Sequence, residues 1–157
     1  MRRSVKQVAI IAVLAIAATV SISSPAWAVN YGSYQSRRTN ACLDSNSAGE
    51  AYTLGCNTGY YQDWDLQLIT TSFYYLKNRA TGRCLDGNSA GSVYTLSCNG
   101  GANQQWRRYY PSSYSSYGEW VNVATGKCLT ASVYAPDKHA VFQSVCDETQ
   151  TDLWTRI

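Results

Sequence analysis

The chain has 157 residues, 13 of them basic and 10 acidic, with 45% hydrophobic and 13% aromatic side chains. That length suits one domain with a core of its own. A formal charge of +3 leaves no strong basic field for nucleic acid or anionic lipid, and six cysteines beside a single histidine point to an oxidising compartment.

The first 28 residues read as a secretory signal. Arg2, Arg3 and Lys6 open it, Val8 to Val20 is mostly apolar, and Ala26-Trp27-Ala28 after Pro25 is an A-x-A cleavage pattern. The apolar run falls short of the roughly 20 residues that span a bilayer, so cleavage near Ala28 and secretion are expected over a retained anchor. The adjacent arginines also fit the twin-arginine export route. Three of the 13 basic residues leave with the segment, so 29–157 carries ten charges of each sign. No nucleic-acid partner and no membrane insertion are expected of that neutral domain.

From there the chain repeats itself. Cys42-Leu43-Asp44-Ser45-Asn46-Ser47-Ala48-Gly49 returns 42 residues later as Cys84-Leu85-Asp86-Gly87-Asn88-Ser89-Ala90-Gly91. Tyr52-Thr53-Leu54-Gly55-Cys56-Asn57 returns as Tyr94-Thr95-Leu96-Ser97-Cys98-Asn99, and Gln62-Asp63-Trp64 as Gln104-Gln105-Trp106. A weaker third copy keeps Cys128-Leu129, Cys146 and Trp154. The repeats run over about 30–70, 71–114 and 115–157. A fixed period of this size means that no copy buries its apolar face alone, and three copies point to a closed three-fold object.

Six cysteines allow 15 pairings. Equivalent positions should behave alike, which selects Cys42–Cys56, Cys84–Cys98 and Cys128–Cys146. Each such bond closes a loop of about 15 residues, worth roughly 3 kcal/mol in the chain-entropy model. Zinc is the rival use of cysteine, but there is no C-x-x-C pair and His139 stands alone. No calcium cage of clustered acids is visible either, so binding without metal or other cofactor is expected.

Helix signals are nearly absent after residue 28. Short alternating runs lie between Gly, Asn and Ser clusters, the pattern of an all-β domain. Eight positions before Cys42, Cys84 and Cys128 stand Tyr34, Leu76 and Trp120. With Leu43, Leu85, Leu129 and the tryptophans 64, 106 and 154 they form the expected core layers. Asn78 to Cys84 and Asn122 to Cys128 are the same hairpin, in which Gly82 and Gly126 supply a positive φ; the first copy has Asn40 there. Tyr109 to Gly118, rich in tyrosine and serine, reads as a longer hairpin loop with exposed tyrosines.

Three copies of C-L-D…C…Q-x-W resemble the ricin-B type β-trefoil lectins over the whole of 29–157. The fuller pattern L-D-S-N…Y-T-L…C-N…Y-Q-x-W is similar to a narrower group, the actinohivin-like bacterial lectins of high-mannose glycans. The resemblance implies an all-β trefoil of twelve strands, six closing a barrel and six forming a hairpin cap, and a glycan as partner.

On their own terms the repeated residues suit a sugar. A strand over Val93-Tyr94-Thr95-Leu96 sends Val93 and Thr95 to one face and Tyr94 and Leu96 to the other. With the first pair inward, an aromatic and an aliphatic side chain stand outside beside Asp86 and Asn88, and Asn99, Asn103 and Gln104 follow. A carboxylate accepts two adjacent hydroxyls, amides donate and accept, and an apolar wall covers a C–H face. The first copy offers Asp44, Asn46, Tyr52, Leu54, Asn57, Tyr61 and Gln62. The bland alternative is that the aspartates pin turns and the tyrosines are core. The third copy discriminates, because it keeps Leu129, both cysteines and Trp154 but turns Asp to Thr130, Tyr to Phe142, Leu to Ser144 and Gln to Asp152. What the fold requires survives in each copy, and what a site requires is lost as a group. The glutamines are the ambiguous members, since Q-x-W glutamines also support the fold.

The expected product is a secreted lectin, monomeric, with two working sites and a degenerate third. In the wider ricin-B pattern a glutamine stands four before the second cysteine and an aromatic two before it. Here Tyr52 and Leu54, or Tyr94 and Leu96, hold those places, which favours mannose over galactosides or xylan. A carbohydrate-binding module for those sugars and a trefoil protease inhibitor are the remaining alternatives. A glycosidase is not expected: hydrolysis needs two carboxyls roughly 5–9.5 Å apart about one bond, and Asp44 and Asp86 sit in different copies.

Overall fold

The computed structural model describes residues 29, 31–134 and 138–157; the signal expected over 1–28 lies outside them. Among the described residues no helix is long and apolar enough to cross a membrane, and the one helical element is a 3-10 turn at Ala102–Gln104.

The first copy supplies β1 (Tyr31–Gly32), β2 (Tyr34–Ser36), β3 (Ala41–Ser45), β4 (Ala51–Gly55) and β5 (Trp64–Thr70). The second supplies β6 (Phe73–Asn78), β7 (Cys84–Gly87), β8 (Val93–Leu96) and β9 (Trp106–Tyr109). The third supplies β10 (Glu119–Asn122), β11 (Cys128–Ala131), β12 (Lys138–Ser144) and β13 (Trp154–Arg156). The described strands number one more than the twelve expected because the first is broken at Ser33. There β1 pairs with β5, while β2 pairs with β3 and β13.

The barrel closes through antiparallel pairs β1–β5, β5–β6, β6–β9, β9–β10 and β13–β2. Its seam is the bridge between Gly118 and Trp154, each amide donating to the other's carbonyl at 2.9 Å. Closure leaves no open sheet edge in the barrel. Inside lie Tyr34, Leu76 and Trp120, the three leucines Leu43, Leu85 and Leu129, and Trp64, Trp106 and Trp154, all buried. Each of those last indoles donates to the carbonyl of its own copy's leucine: Trp64 to Leu43 at 2.9 Å, Trp106 to Leu85 at 3.0 Å and Trp154 to Leu129 at 2.9 Å. The one polar atom of each of these three tryptophans is thereby satisfied, which offsets the cost of burying it.

Three hairpins, β3–β4, β7–β8 and β11–β12, cap one end of the barrel. They interlock in a ring. The turn of the first lies on β8, where the Thr95 amide donates to Gly49 O at 2.7 Å. The turn of the second lies on β12, where Gln143 N donates to Gly91 O at 2.8 Å, and β12 in turn pairs with β4. Gly49 has φ +95°, and a Cβ there would come within 2.8 Å of Thr95 O, so this close approach needs glycine.

The three disulfides join the cysteines that the repeat paired: Cys42–Cys56, Cys84–Cys98 and Cys128–Cys146. The hairpin turns have Asn40, Gly82 and Gly126 at φ 54°, 66° and 68°, which accounts for asparagine as the one non-glycine substitute. Only part of the tyrosine-rich loop is as exposed as its composition suggests. Tyr109 and Tyr110 are exposed, but Tyr114 and Tyr117 are half-buried and flank the Arg37 guanidinium, 4.3 and 5.1 Å from the ring centres.

Candidate functional site

Strand alternation positions the repeated side chains. Along β8, Val93 and Thr95 are buried, while Tyr94 is half-buried and Leu96 exposed. In the first two hairpins the register sets the aspartate directly across from the tyrosine, Asp44 opposite Tyr52 and Asp86 opposite Tyr94. The same register sets each first cysteine across from the leucine, Cys42 from Leu54 and Cys84 from Leu96, so the disulfide backs the apolar wall.

Both aspartates are almost wholly buried beneath the tyrosine–leucine face of their hairpins. Burial, with the neighbouring Asp44 carboxylate, raises the Tyr52 phenol above its ordinary pKa, and burial with Asp86 does the same for Tyr94. Each phenol therefore stays protonated beside its carboxylate as a donor. The two aspartates differ in support. Gln62 Nε2 and Gln104 Nε2 both donate to the backbone, to Gly55 O and Ser97 O at 3.1 Å, and Gln62 Nε2 also donates to Asp44 Oδ2 at 2.9 Å. Asp86 Oδ1 is buried with no hydrogen-bond partner among the described residues.

The glutamines lie beneath the pockets and not in them. Gln62 and Gln104 have no exposed surface, and their Oε1 atoms accept from the amides of Asn57 and Asn99, both at 2.8 Å. They brace the loop that follows the second cysteine. Asn57 and Asn99 are exposed, but their Oδ1 atoms accept from Gly59 N and Gly101 N at 2.7 and 2.8 Å. Asp147 repeats that bond with Thr149 N at 3.0 Å, so the oxygen at this position serves the turn in all three copies, and Asn57 Nδ2 also donates to Gly55 O at 3.4 Å. Asn46 and Asn88 likewise accept from backbone, Glu50 N at 3.1 Å and Ser92 N at 3.0 Å. Asn46 Nδ2 is further held by Glu50 Oε2 at 2.6 Å, while the Asn88 amide reaches toward the Tyr94 hydroxyl. Glu50 thus rims the first pocket, and the repeat pattern could not show it because the second copy has Ser92 in its place. Tyr61 and Asn103 are both exposed at the rim; their carbonyls accept from Asn78 and Asn122 Nδ2, each at 2.7 Å.

The third copy has the same register, Thr130 opposite Phe142 and Cys128 opposite Ser144, with its polar groups turned on one another. Thr130 Oγ1 donates to Asp152 Oδ1 at 2.8 Å and lies 2.6 Å from Ser144 Oγ. Burial, with Asp147 beside it, raises Asp152 to about 6. The Tyr134 and His139 positions flank 135–137, where Asp137 lies outside the described residues. Among the described residues the one cluster with metal-ligand spacing is Glu119 with Cys128 and Cys146, and both sulfurs are already spent in a disulfide.

Residues 21–106 match the model of the ricin-type beta-trefoil lectin domain. No curated protein sequence matches the chain. Among solved structures it is similar to ThreeFoil, a designed three-fold symmetric protein, with 25% identity and a TM-score of 0.74 over 81% of this chain and 97% of that one. It is also similar to an exo-β-1,3-galactanase from Clostridium thermocellum (17% identity, TM-score 0.74), covering 84% of this chain but only 30% of the galactanase. SeviL bound to asialo-GM1 saccharide shares the fold at 13% identity and a TM-score of 0.66, over 82% of this chain and 97% of SeviL. With more than half its length matched by the family model and a closed barrel under three disulfide-bonded hairpins, the chain belongs to the ricin-type β-trefoil lectin domain family, a carbohydrate-binding fold.

Proposed function

We propose that the protein is a secreted lectin that binds mannose-rich glycans through two pockets, those of Asp44 and Asp86, with the third hairpin inactive. One observation carries the reading: Asp86 keeps a buried carboxylate oxygen with no donor among the described residues, opposite a tyrosine and near an exposed leucine. Burying an unsatisfied charged acceptor is costly, and a pair of adjacent sugar hydroxyls is the partner such a floor lacks. The third hairpin supports the same reading, since its equivalent groups satisfy each other and leave nothing for a ligand.

Tyrosine and leucine in place of the wider family's glutamine and aromatic favour mannose. The signal-like segment 1–28 supports secretion, and the disulfides fit that destination.

The test is a glycan array with the mature protein beside an Asp44→Ala/Asp86→Ala double variant. Mannose-terminated signals that vanish in a still-folded variant support the proposal. Binding to β-1,3-galactan or xylan instead keeps the lectin and rejects the mannose assignment. No glycan signal leaves a trefoil whose partner is a protein, and protease inhibition is then the assay to run.

A further inference from the structure

The end of the barrel opposite the hairpins holds a cavity of about 480 Å³, and its chemistry is not that of a core. Two positions after each of the three tryptophans 64, 106 and 154, a residue lies directly opposite one of the inward-facing large residues on the neighbouring strand. In the first such pair, Leu66 lies opposite Leu76. In the others Arg108 lies opposite Trp120 and Arg156 opposite Tyr34. The leucine pair shows what the fold accepts at this level, so two arginines on aromatics are not a requirement of the barrel. Room for them is made by glycine: a Cβ on Gly118 would lie 2.7 Å from Arg108 Nε, and one on Gly32 would collide with Arg156.

Three donor groups at this end have no acceptor among the described residues. Arg108 Nη2 donates to Trp154 O at 2.7 Å, but Arg108 Nη1, Trp120 Nε1 and the Tyr34 hydroxyl are buried and without partners among the described residues. The Arg108 guanidinium lies 4.5 Å from the Trp120 ring centre and 5.1 Å from that of Tyr110, and no carboxylate of the described residues pairs with it. Burial lowers its pKa from the ordinary value, as it must for a cation taken out of water without a counter-ion. Buried donors of this kind are otherwise matched, and a guanidinium fork matches a carboxylate two atoms to two.

We propose that this cavity is a second ligand site, distinct from the sugar pockets, for a small organic carboxylate. Its oxygens take the Arg108 fork, the Trp120 indole N–H and the Tyr34 hydroxyl, and its carbon body lies against Leu66 and Tyr110.

The test uses the mature, disulfide-bonded protein with 15N-labelled tryptophan. The Trp120 indole N–H resonance is followed during titration with acetate, benzoate, glucuronate, phosphate and sulfate, with chloride at matched ionic strength as control. Saturable movement with carboxylates and a rise in Tm by mass action are expected. Arg108→Leu, which copies the Leu66 pair, should weaken the response by about tenfold or more. Arg108→Lys, which keeps the charge but loses the fork, should weaken it too, while the Asp44→Ala/Asp86→Ala variant retains it. Equal movement with chloride, saturation by phosphate or sulfate alone, or no saturation by any anion overturns the proposal.

Discussion

Asp86 is paired with the Tyr94 phenol but only in part satisfied. One of its oxygens is buried and without a partner among the described residues, and Gln104 makes the same backbone bond as Gln62, to Ser97 as to Gly55, without the further bond that Gln62 gives Asp44. Two roles for the residue make opposite predictions. A turn-pinning aspartate is destabilised on replacement. A ligand-binding one is a local cost, so Asp86→Asn should leave the free protein as stable or more stable, by up to about 1 kcal/mol, while sugar binding in that pocket is lost. Urea unfolding with and without saturating mannoside separates them: a clear loss of stability in the free variant assigns Asp86 to the fold. Gln62 behaves in the opposite sense. It is fully buried and satisfies Asp44, Gly55 and Asn57 at once, so Gln62→Ala should cost about 2–3 kcal/mol by leaving those groups unpaired, read as a lower urea midpoint. At this scale the sequence pattern marks which positions travel together, but not which atom of each is already spent. The asparagines after the second cysteine show the limit, because their repetition reflects a turn bond that an aspartate provides equally well in the third copy.

The hairpin as an element explains why one of three could lose its pocket without losing its place. Register, disulfide and indole bond are common to all three, so the pocket residues are free to change once those are kept. The third hairpin replaced Asp and Gln by Thr130 and Asp152, which moves the carboxylate from the strand to the loop and closes the bond between them. The move has a pH signature. Asp152 is raised from 3.8 to about 6, so its favourable contribution is fully present below about pH 3.8 and is lost as pH rises through about 6. An amide does not titrate and copies the glutamine bonds of the other copies. Asp152→Asn should therefore stabilise the protein at pH 7.5, on the order of 1 kcal/mol, and show no such advantage near pH 4. Equal effects at the two pH values in urea unfolding would remove the assignment. Periodicity reveals most of this element. Asn40 in place of glycine predicts a left-handed residue in the hairpin turn, and the structure has it. Periodicity is silent where copies differ for different reasons: Leu66, Arg108 and Arg156 share a position without sharing chemistry, and the arginine-on-aromatic pairs emerge only once the barrel sets them side by side.

At the level of the whole molecule, the proposed pair of weak sugar sites would be held in fixed relation by the ring of hairpins. The turn beyond Asp44 is bonded to β8, the strand that carries Tyr94, which ties the first hairpin to the second. Shallow sugar sites bind weakly because polar groups must be desolvated for a modest return. A rigid pair can engage two branches of one glycan, and the second contact then forms at an effective concentration set by geometry, adding up to about 10²–10⁴-fold. Two titrations distinguish this from independent sites. With a monovalent mannoside, Asp44→Ala should reduce the stoichiometry from two to one and leave the remaining Kd unchanged. With a branched high-mannose glycan the same variant should lose far more than half of its apparent affinity, by about tenfold or more, and Asp86→Ala should do the same. The third pocket supplies the control, since Thr130→Ala removes a polar group from the equivalent position and should leave both titrations unaltered. If each single variant merely halves binding to the branched glycan, the pockets act independently, and the three-fold frame then serves stability alone.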